Sequence, residues 1–449
     1  MRFRWPRLFS CKRQPYLAFL ALCGAGMALL LWIQAHFLSP RELMRLDTPK
    51  GSEAGTPCLL SRLYDIDCPR LAAANVSYLQ QLVARTDWKD SKKCMQKPLE
   101  QLAENCEDLK KHHGYHRWPV TPQEEDFPLA FGIKIHKAPD MFERLLRVLW
   151  RPQNLYCIHV DSKTPPDVFQ VVKNLSNCFP NVVLTEVRVD LIYLSVGSLL
   201  SDMQCMRVAL KSTIPWKYYL NLSGQEFPLK TNLEMVQILA LLNGKNDVES
   251  YLPGKYVSGW FSFKHVILNG SIYRTKERKA PFMYPIRIRK GSAYGAFSRK
   301  FMDFALNNNM AVAFLHWLAD TQAPDELFWA TLNHLPGVPG GVEHPVSHRY
   351  GTVLSRAVVW QWDQYKCKTY VRAVCIYTAS DLPWLISRHE LIANKFDETT
   401  DPIVLDCLED ALERRTFSAY RDLVSSPFKA TQTVASLNWT FYKNLPHLK

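Results

Sequence analysis

Two acidic residues stand at the start of an apolar segment that has the length of a short helix. They are Asp325 and Glu326, which follow Pro324 and precede the run 327–332. Acidic side chains are favoured in the first turn of a helix, because the helix dipole is positive there. A positioned carboxylate can also act as a general base. The sequence alone leaves both interpretations of Glu326 open, a helix cap and a catalytic base.

Two cations lie in otherwise apolar surroundings further along the chain. Arg372 belongs to the run Arg372–Cys375, and Lys395 belongs to the run Ala393–Asp397. Such side chains can stabilise the negative charge of a leaving phosphate group. Lys395 can instead form a salt bridge with Asp397 or cap a helix.

The Asp-x-Asp motif that holds a divalent metal in many nucleotide-sugar transferases occurs here only as Asp65–Asp67. This tripeptide precedes the strand-rich part of the chain, so we interpret it as a solvated segment and expect no divalent metal. Lys or Arg side chains would then have to neutralise a leaving diphosphate. Trp360 and Trp362 offer aromatic faces on which sugars stack, although packing in the core explains them equally well.

The N-terminus has the pattern of a membrane anchor. Residues 16–38 contain no Asp, Glu, Lys or Arg, and at 1.5 Å per residue a helix of this length spans a bilayer. The alternative is a cleaved signal peptide, whose apolar core is usually shorter. Five basic residues precede the run, so we expect residues 1–15 in the cytosol and the chain beyond about residue 39 in the lumen.

Cysteine usage agrees with an oxidising compartment. Ten of the twelve cysteines follow the apolar run, at long and irregular spacings without a C-x-x-C pair. This pattern favours disulfides over a metal site. Five N-x-S/T sequons also suit a luminal protein. We expect glycosylation at Asn75, Asn174 and Asn269 and none at Asn221, which lies in a predicted buried strand; the fifth sequon is at Asn438.

Composition and charge exclude several classes of protein. With 47% hydrophobic and 22% charged residues among 449, the chain is not disordered, collagenous or a coiled coil. Its net charge is +13, and five of those charges lie in the first thirteen residues. The remainder could serve an anionic ligand or solubility, and we do not expect a nucleic-acid partner.

From about residue 127, short apolar strands alternate with amphipathic helices. The pattern predicts strands over 129–135, 154–160, 182–186 and 218–222 and helices over 140–150, 167–178, 199–210 and 232–242. Such alternation is typical of a mostly parallel sheet covered on both faces, with ligands bound beyond the carboxyl ends of the strands. We expect a stem and cap over 39–125, a catalytic domain over 126–420, a C-terminal tail over 421–449, and a long loop over 250–290. This description suits Golgi glycosyltransferases, and also some luminal hydrolases or sulfotransferases.

A series of short runs resembles the core 2/I-branching β-1,6-N-acetylglucosaminyltransferase family of the Golgi. The runs recur in family order between about residues 65 and 415: Phe127–Leu129, Glu143–Arg147, Pro152–Asp161, Trp216–Tyr218, Phe227–Asn232, Gly291–Tyr294, Ala323–Thr331, Asp381–Trp384 and Ala393–Asp397. The resemblance implies a GT-A-like fold that works without metal. It also implies UDP-GlcNAc as donor and the 6-hydroxyl of a GalNAc or galactose in an O-glycan as acceptor.

The resemblance assigns roles to individual residues. Glu326 matches the catalytic base, and Arg372 and Lys395 match the basic pair at the UDP diphosphate. Matches to the donor pocket are His136, Asp161, Ser162, Lys163 and Tyr193. On the acceptor side Glu249 and Lys255 match contacts of the family, Trp362 replaces an acceptor-contacting Tyr, and Arg349 replaces a Lys. The implied disulfides are Cys68–Cys407, Cys106–Cys178, Cys157–Cys205 and Cys367–Cys375, which leaves Cys58 and Cys94 to pair together or to link two chains as a homodimer.

The chain departs from the family pattern mostly on the acceptor side. Ser195–Ser198 replaces a run that contains a Trp and an Arg, and Gly259 replaces an Arg. Ser223 stands for a free Cys and Glu226 for an Asp, and the segment between Trp362 and the next cysteine is shorter. Two alternatives to a β-1,6-N-acetylglucosaminyltransferase therefore remain: a Golgi glycan-binding or partner protein without catalysis, and the same fold with another UDP-sugar.

Overall fold

The computed structural model describes residues 59–84, 98–342, 353–425, 434 and 436–445. They belong to one compact unit that spans Pro57–Lys449. Cys58, Cys94, Arg349, the predicted cytosolic tail and the predicted membrane anchor lie outside the described residues. No helix within the described ranges is both long enough and apolar enough to cross a membrane.

Strands and helices alternate through the first half of the unit and form a layered α/β fold. The strands, numbered in chain order, are β1 Leu129–Ile135, β2 Leu155–Val160, β3 Val182–Leu184, β4 Tyr218–Ser223, β5 Glu226–Pro228, β6 Asp247–Val248, β7 Phe263–Leu268, β8 Ser271–Arg278, β9 Gly295–Ser298, β10 Ala357–Val358, β11 Thr369–Val371, β12 Val374–Ile376 and β13 Ile392–Asn394. The α-helices are Leu60–Leu63, Cys68–Ala72, Val76–Ala84, Leu99–Leu102, Cys106–His112, Pro122–Asp126, Pro139–Leu149, Pro166–Asn177, Gly197–Lys211, Asn232–Leu241, Lys255–Ser262, Arg299–Asn307, Asn309–Leu318, Pro324–Leu332, Leu382–Ser387, Pro402–Ser425 and Trp439–Lys443.

The central sheet has six strands in the order β3–β2–β1–β4–β9–β6. The first four run parallel, and β9 runs antiparallel to both of its neighbours. Every residue of β1 and β2 is buried, as expected for strands covered by helices on both faces. The predicted mostly parallel α/β sheet is confirmed, and the arrangement fits a GT-A-like fold.

Residues 250–290 do not form the long loop that their irregular composition predicted. They contain the helix Lys255–Ser262 and the antiparallel hairpin β7–β8. The turn of this hairpin is Asn269–Gly270, with φ of 48° and 72°. Asn-Gly is the typical sequence of a two-residue hairpin turn, so this signal was present in the sequence and was overlooked.

Two small sheets stand beside the central one and carry the predicted basic pair. Strand β13 pairs with β10 and β5, and Lys395 follows β13 directly. Strands β11 and β12 form a tight hairpin whose turn contains Arg372. All four disulfides implied by the resemblance are present, and Cys367–Cys375 closes the segment that contains β11.

The helix that follows β1 and the long helix that follows β13 are joined by ion pairs in the protein interior. Arg144 and Arg147, on the helix Pro139–Leu149, pair with Asp406 and Glu409 on the helix Pro402–Ser425. The helices of the predicted cap belong to the same compact unit, since Cys68 is bonded to Cys407 on that long helix. These links fix the position of the long helix that follows Lys395.

Candidate active site

Three predicted donor-pocket residues lie at the carboxyl end of β2, where an α/β sheet binds its ligands. The Asp161 side chain is buried, its N–H donates to the Ile135 carbonyl over 2.8 Å, and its Oδ1 accepts from the Lys163 N–H over 3.0 Å. Ser162 and Lys163 are exposed beside it. The buried Asp161 side chain therefore stabilises the loop through its hydrogen bond to the Lys163 N–H, whereas Ser162 and Lys163 face solvent.

Arg372 occupies a strained turn at the tip of the β11–β12 hairpin. Arg372 and Ala373 have φ of 53° and 64°, in the left-handed region that non-glycine residues seldom adopt. The guanidinium carbon lies 4.1 Å from the ring centre of Tyr193, so the two side chains form a cation–π contact. The neighbouring Cys367–Cys375 disulfide stabilises the hairpin. The turn geometry presents Arg372 toward the predicted donor pocket.

Lys395 is positioned by a buried network behind it. Glu226 accepts from the Asn394 side-chain amide over 2.6 Å and pairs with Arg356 over 3.1 Å, and both partners of this ion pair are almost fully buried. Glu226, which stands where the family pattern has an Asp, thus has a structural role. It anchors the residue next to Lys395.

Arg372, Lys395 and Lys137 form a cluster of cations. None of the three has an ion pair within 4 Å among the described residues, although the Asp397 charge acts on Lys395 and Lys137 from a longer distance. Burial lowers the pKa of Lys395, and the charges of Arg372 and Lys137 lower it further. Burial, Lys137 and Arg372 also lower the pKa of His136. Positive charges held together in this way favour a bound anion.

The alternative interpretation of Lys395, a salt bridge to Asp397, is not supported. Asp397 accepts instead from the backbone N–H of Thr399 over 2.9 Å and from the hydroxyl of the same residue over 2.5 Å. Lys137 belongs to the cluster although sequence reasoning did not select it. Its signal was its position, two residues beyond the end of β1 and next to His136.

Glu326 lies at the third position of the helix Pro324–Leu332 and faces away from the helix cap. The N-cap residue is Ala323, and no side chain caps this helix; Asp325 Oδ1 accepts from the Glu326 N–H over 3.1 Å within the first turn. Glu326 Oε2 lies 2.9 Å from the Lys290 Nζ. No group in the described part of the chain donates a hydrogen bond to Oε1, which leaves this oxygen able to accept a proton.

Lys290 is the partner of Glu326 that sequence reasoning missed. Burial raises the pKa of Glu326, and the Lys290 charge opposes that rise. Burial lowers the pKa of Lys290, but attraction to Glu326 outweighs this, and the net shift is upward. No sequence signal identified the pair, because 35 residues of chain separate the two positions and the Lys lies in an irregular segment.

Tyr193 connects the cation cluster with the carboxylate. The carbonyl of Leu194, which has φ of 63°, accepts from the N–H of Ala323 over 2.8 Å, just before the Glu326 helix. Burial raises the pKa of Tyr193, Arg372 lowers it, and Glu326 raises it. One loop therefore lies within electrostatic reach of both groups, so they belong to one site.

The predicted acceptor residues are placed in two regions. Glu249 lies on the Glu326 side, where its carbonyl is so close to Gly291 that a Cβ on the glycine would be 1.7 Å away. Lys255 is exposed at the start of its helix. Trp362 is 69% exposed and stacks on Trp360, beside the turn that carries Arg372. Arg349 lies outside the described residues.

The motifs with metal-binding potential have other roles in the described ranges. Asp67 caps the helix Cys68–Ala72 by accepting from the Arg70 N–H over 2.9 Å. Cys367, Cys375 and Asp381 come within 4.8 Å of one another, but the two sulfurs form a disulfide. Neither group offers the free ligands that a divalent metal at the diphosphate would need.

Comparison with known proteins identifies the family of the chain. A family model described as Core-2/I-Branching enzyme matches residues 129–386. The chain belongs to this family. It is 38% identical over 326 residues to β-1,3-galactosyl-O-glycosyl-glycoprotein β-1,6-N-acetylglucosaminyltransferase 3 of Bos taurus, covering 70% of this chain and 74% of that protein.

Other relatives give the same result. The Homo sapiens protein of the same name is 37% identical over 69% of this chain and 74% of its own, and a β-1,6-N-acetylglucosaminyltransferase of Bovine herpesvirus 4 (strain DN-599) is 37% identical over 70% and 74%. A solved 4-diphosphocytidyl-2C-methyl-D-erythritol synthase from Anaerococcus prevotii DSM 20548 covers 43% of this chain and 86% of its own at 11% identity, with a TM-score of 0.22 that supports no argument.

The departure at 195–198 changes how this member of the Core-2/I-branching family is packed. A Cβ on Gly197 would lie 2.3 Å from the Asp190 carbonyl oxygen, so a side chain does not fit there. Lys134 donates to Ser198 over 3.2 Å and pairs with Asp202 over 2.9 Å. A lysine on β1 thus contacts Ser198, at the position where the family pattern has an Arg, and Asp202 balances its charge.

The asparagines of the sequons differ in solvent exposure and in their position in the fold. Asn221 is fully buried in β4, as predicted. Asn269 is exposed at the tip of the β7–β8 hairpin, whereas Asn75 starts the helix Val76–Ala84 and Asn174 lies within a helix next to buried Ser176. Glycosylation at Asn75, Asn174 and Asn269 remains a prediction.

The Glu226–Arg356 pair gives a test of how Lys395 is held in place. The Glu226→Gln variant keeps the hydrogen bond to Asn394 but leaves the Arg356 charge buried and uncompensated, which costs about 3–5 kcal/mol of unfolding free energy. Urea denaturation with intact disulfides measures this loss. The matched control is Glu277→Gln, which removes an exposed partner of Lys264 and should cost at most about 1 kcal/mol. Equal losses in the two variants would contradict the account.

Proposed function

We propose that this chain transfers GlcNAc from UDP-GlcNAc to the 6-hydroxyl of a GalNAc or galactose in an O-glycan, with inversion and without a metal. Membership of the Core-2/I-branching family makes it a glycosyltransferase. The relatives carry β-1,6-N-acetylglucosaminyltransferase in their names, which supports GlcNAc as the sugar and β-1,6 as the linkage. Nucleotide sugar and glycoprotein acceptor are then its two substrates.

Glu326 acts as the base in this proposal. Lys290 holds Oε2, and Oε1 accepts the proton of the acceptor hydroxyl as the hydroxyl oxygen attacks the anomeric carbon. A new bond forms between that oxygen and the sugar while the bond from the sugar to the diphosphate breaks. One base is sufficient for an inverting displacement, because no covalent intermediate has to be resolved.

The cation cluster supports a metal-independent reaction. As the bond to UDP breaks, negative charge grows on the diphosphate, and Arg372 and Lys395 stabilise it together with Lys137. The observation that carries the proposal is this unpaired cluster, whose Arg372 contacts Tyr193, while Glu326 lies within electrostatic reach of the same tyrosine. The cluster stabilises the leaving group and Glu326 supplies the base, and both belong to one site.

The compartment follows from the same argument. We place the chain in the Golgi membrane with a single anchor over 16–38 and its catalytic part in the lumen. The four disulfides support an oxidising compartment. A disulfide-linked dimer through Cys58 or Cys94 is compatible with this topology.

The experiment that tests the function uses the full chain, purified in detergent. It is given UDP-GlcNAc, a panel of O-glycan acceptors and a chelator, with UDP-Gal and UDP-xylose as competing donors. Transfer of GlcNAc in chelator supports the proposal, and transfer of another sugar supports the altered-donor alternative. A folded chain that binds UDP and transfers nothing supports the non-catalytic alternative, which the altered positions 195–198 and 259 motivate.

The Glu326→Gln variant tests the assignment of the base. Because the amide cannot accept the proton, the transfer rate should fall by at least 10²-fold. UDP binding, measured by calorimetry, should stay within about twofold, since the cation cluster is unchanged. The Glu277→Gln variant serves as the control. Substantial residual transfer in Glu326→Gln would remove Glu326 from the mechanism.

The pH dependence of kcat/KM tests the role of Lys290. Its charge lowers the pKa of Glu326, so the Lys290→Met variant should raise that pKa. The base must be ionised, and the acid limb of the kcat/KM profile therefore moves to higher pH. Lys300→Met, at an exposed lysine on another helix, leaves the profile unchanged. If Lys290 only stabilises the fold, its removal lowers the rate equally at every pH.

A further inference from the structure

The positive charge of this protein is concentrated in one segment. Residues 255–290 contain nine Lys or Arg residues and one acidic residue, Glu277. This accounts for eight of the thirteen net positive charges, and the first thirteen residues account for the other five. The rest of the chain is neutral overall. A charge excess that is confined to one segment indicates a local task rather than general solubility.

Two arginines of this segment lie together on the β7–β8 hairpin. Arg278 faces Phe263 across the hairpin, and Arg274 faces His265. Both guanidinium groups lie over the ring of Phe263, with their central carbons 4.8 and 5.4 Å from the ring centre. The two cations therefore share one aromatic ring, and like charges held near the same point repel each other.

No acidic residue in the described part of the chain forms an ion pair with either of the two arginines. Glu277, the one acidic residue of the segment, pairs with Lys264 instead. Within the described ranges neither Arg274 nor Arg278 has an ion pair, and both are exposed. An arginine pair of this kind has two planar donor groups available to a carboxylate or a sulfate.

The arginine pair lies on the rim of the candidate active site. The N–H of His265 donates to the Asp320 carbonyl over 2.8 Å, and the N–H of Gln322 donates to the Trp260 carbonyl over 3.2 Å. Both bonds attach the hairpin and its preceding helix to the loop that leads into the Glu326 helix. The ring of Trp260 lies 5.9 Å from the Lys290 Nζ, which itself pairs with Glu326.

Gly259 lies within contact distance of one of these arginines. An added Cβ on Gly259 would lie 3.7 Å from an Nη1 of Arg274. The family pattern has an acceptor-side Arg at position 259, so the positive charge lost there is replaced in space by a residue of the hairpin. Tyr256 is 79% exposed and packs edge-on against Trp260, which gives a sugar ring an aromatic surface beside the cations.

We propose that Arg274 and Arg278 bind an anionic group on the acceptor, a sugar carboxylate or a sugar sulfate ester, so that the enzyme prefers anionic O-glycans to neutral ones. The proposal rests on the proposed function for its assignment of an acceptor side. A neutral acceptor would provide no partner for two unpaired arginines on the rim of the site that contains the base. The charge-assisted hydrogen bond from an arginine to the anionic group would be present in both the substrate complex and the transition state. It should therefore raise kcat/KM for an anionic glycan about tenfold or more over that for a neutral one.

The test compares four acceptors that share one neutral core. They are the neutral disaccharide, its sialylated form, its 3-sulfated form, and the neutral disaccharide on a peptide rich in Asp and Glu. Values of kcat/KM are measured with the full chain at low and at high salt. We expect about tenfold preference for an anionic glycan at low salt, reduced at high salt because ions screen the contact. The sialylated and sulfated acceptors distinguish the two sources of the anion.

The Arg274→Gln/Arg278→Gln double variant should lose this preference while its kcat/KM for the neutral disaccharide stays within about twofold. The matched control is Lys173→Gln/Arg421→Gln, which removes the same charge from exposed positions on two other helices and keeps the preference. Equal use of neutral and anionic glycans by the unaltered chain would overturn the proposal. Persistence of the preference in the double variant, or a preference confined to the acidic peptide, would also overturn it.

A binding measurement separates this proposal from the proposed function. Saturation-transfer NMR with the same acceptors needs no catalysis and can be made on Glu326→Gln. If no acceptor is turned over but anionic glycans bind to the unaltered chain and not to the arginine double variant, the transferase proposal fails and the anion site stands. If anionic glycans bind no better than neutral ones, the anion site fails whatever the activity.

Discussion

The cation cluster of Arg372, Lys395 and Lys137 is the constraint on which the site depends. Placing like charges together is unfavourable without a bound anion, so the fold must hold each of them in position. A strained turn closed by the Cys367–Cys375 disulfide presents Arg372, and the Glu226–Arg356 pair anchors the strand that ends before Lys395. The scaffold is rigid where the charges are, which prepares the site for a diphosphate.

The carboxylate of the site, Glu326, also depends on a neighbouring charge, which here has the opposite sign. Burial raises the pKa of Glu326, and the Lys290 charge at a distance of 2.9 Å opposes that rise. The lysine also belongs to the segment 255–290, whose arginines lie on the rim of the same site. One basic segment therefore both tunes the base and borders the space where an acceptor would enter.

Much of the fold could be predicted from the sequence, because the strands and helices of the first half have strong periodic patterns. The strand Leu129–Ile135 and the helix Asn232–Leu241 lie where hydrophobic periodicity placed them. The hairpin β7–β8 was missed because its side chains are mostly exposed, so it has no buried face to give a period.

The candidate site could be predicted only in part. The carboxylate and the basic pair were found because their local runs resemble a family, but that resemblance has no information on residues that are particular to this chain. Lys290, Lys137 and Arg274 act through contacts between distant segments, and no pattern along the chain reports such contacts. Their roles became visible only when the fold brought those segments together.

The central claim is that side chains of this protein, rather than a metal, hold the diphosphate. Calorimetry with UDP and with UMP in the presence of a chelator tests it most directly, on the unaltered chain and on the Arg372→Gln/Lys395→Gln variant. The account predicts that UDP binds at least tenfold more tightly than UMP in chelator, and that the variant loses this difference. Equal binding of UDP and UMP in chelator, with the advantage of UDP restored by Mn²⁺, would contradict it.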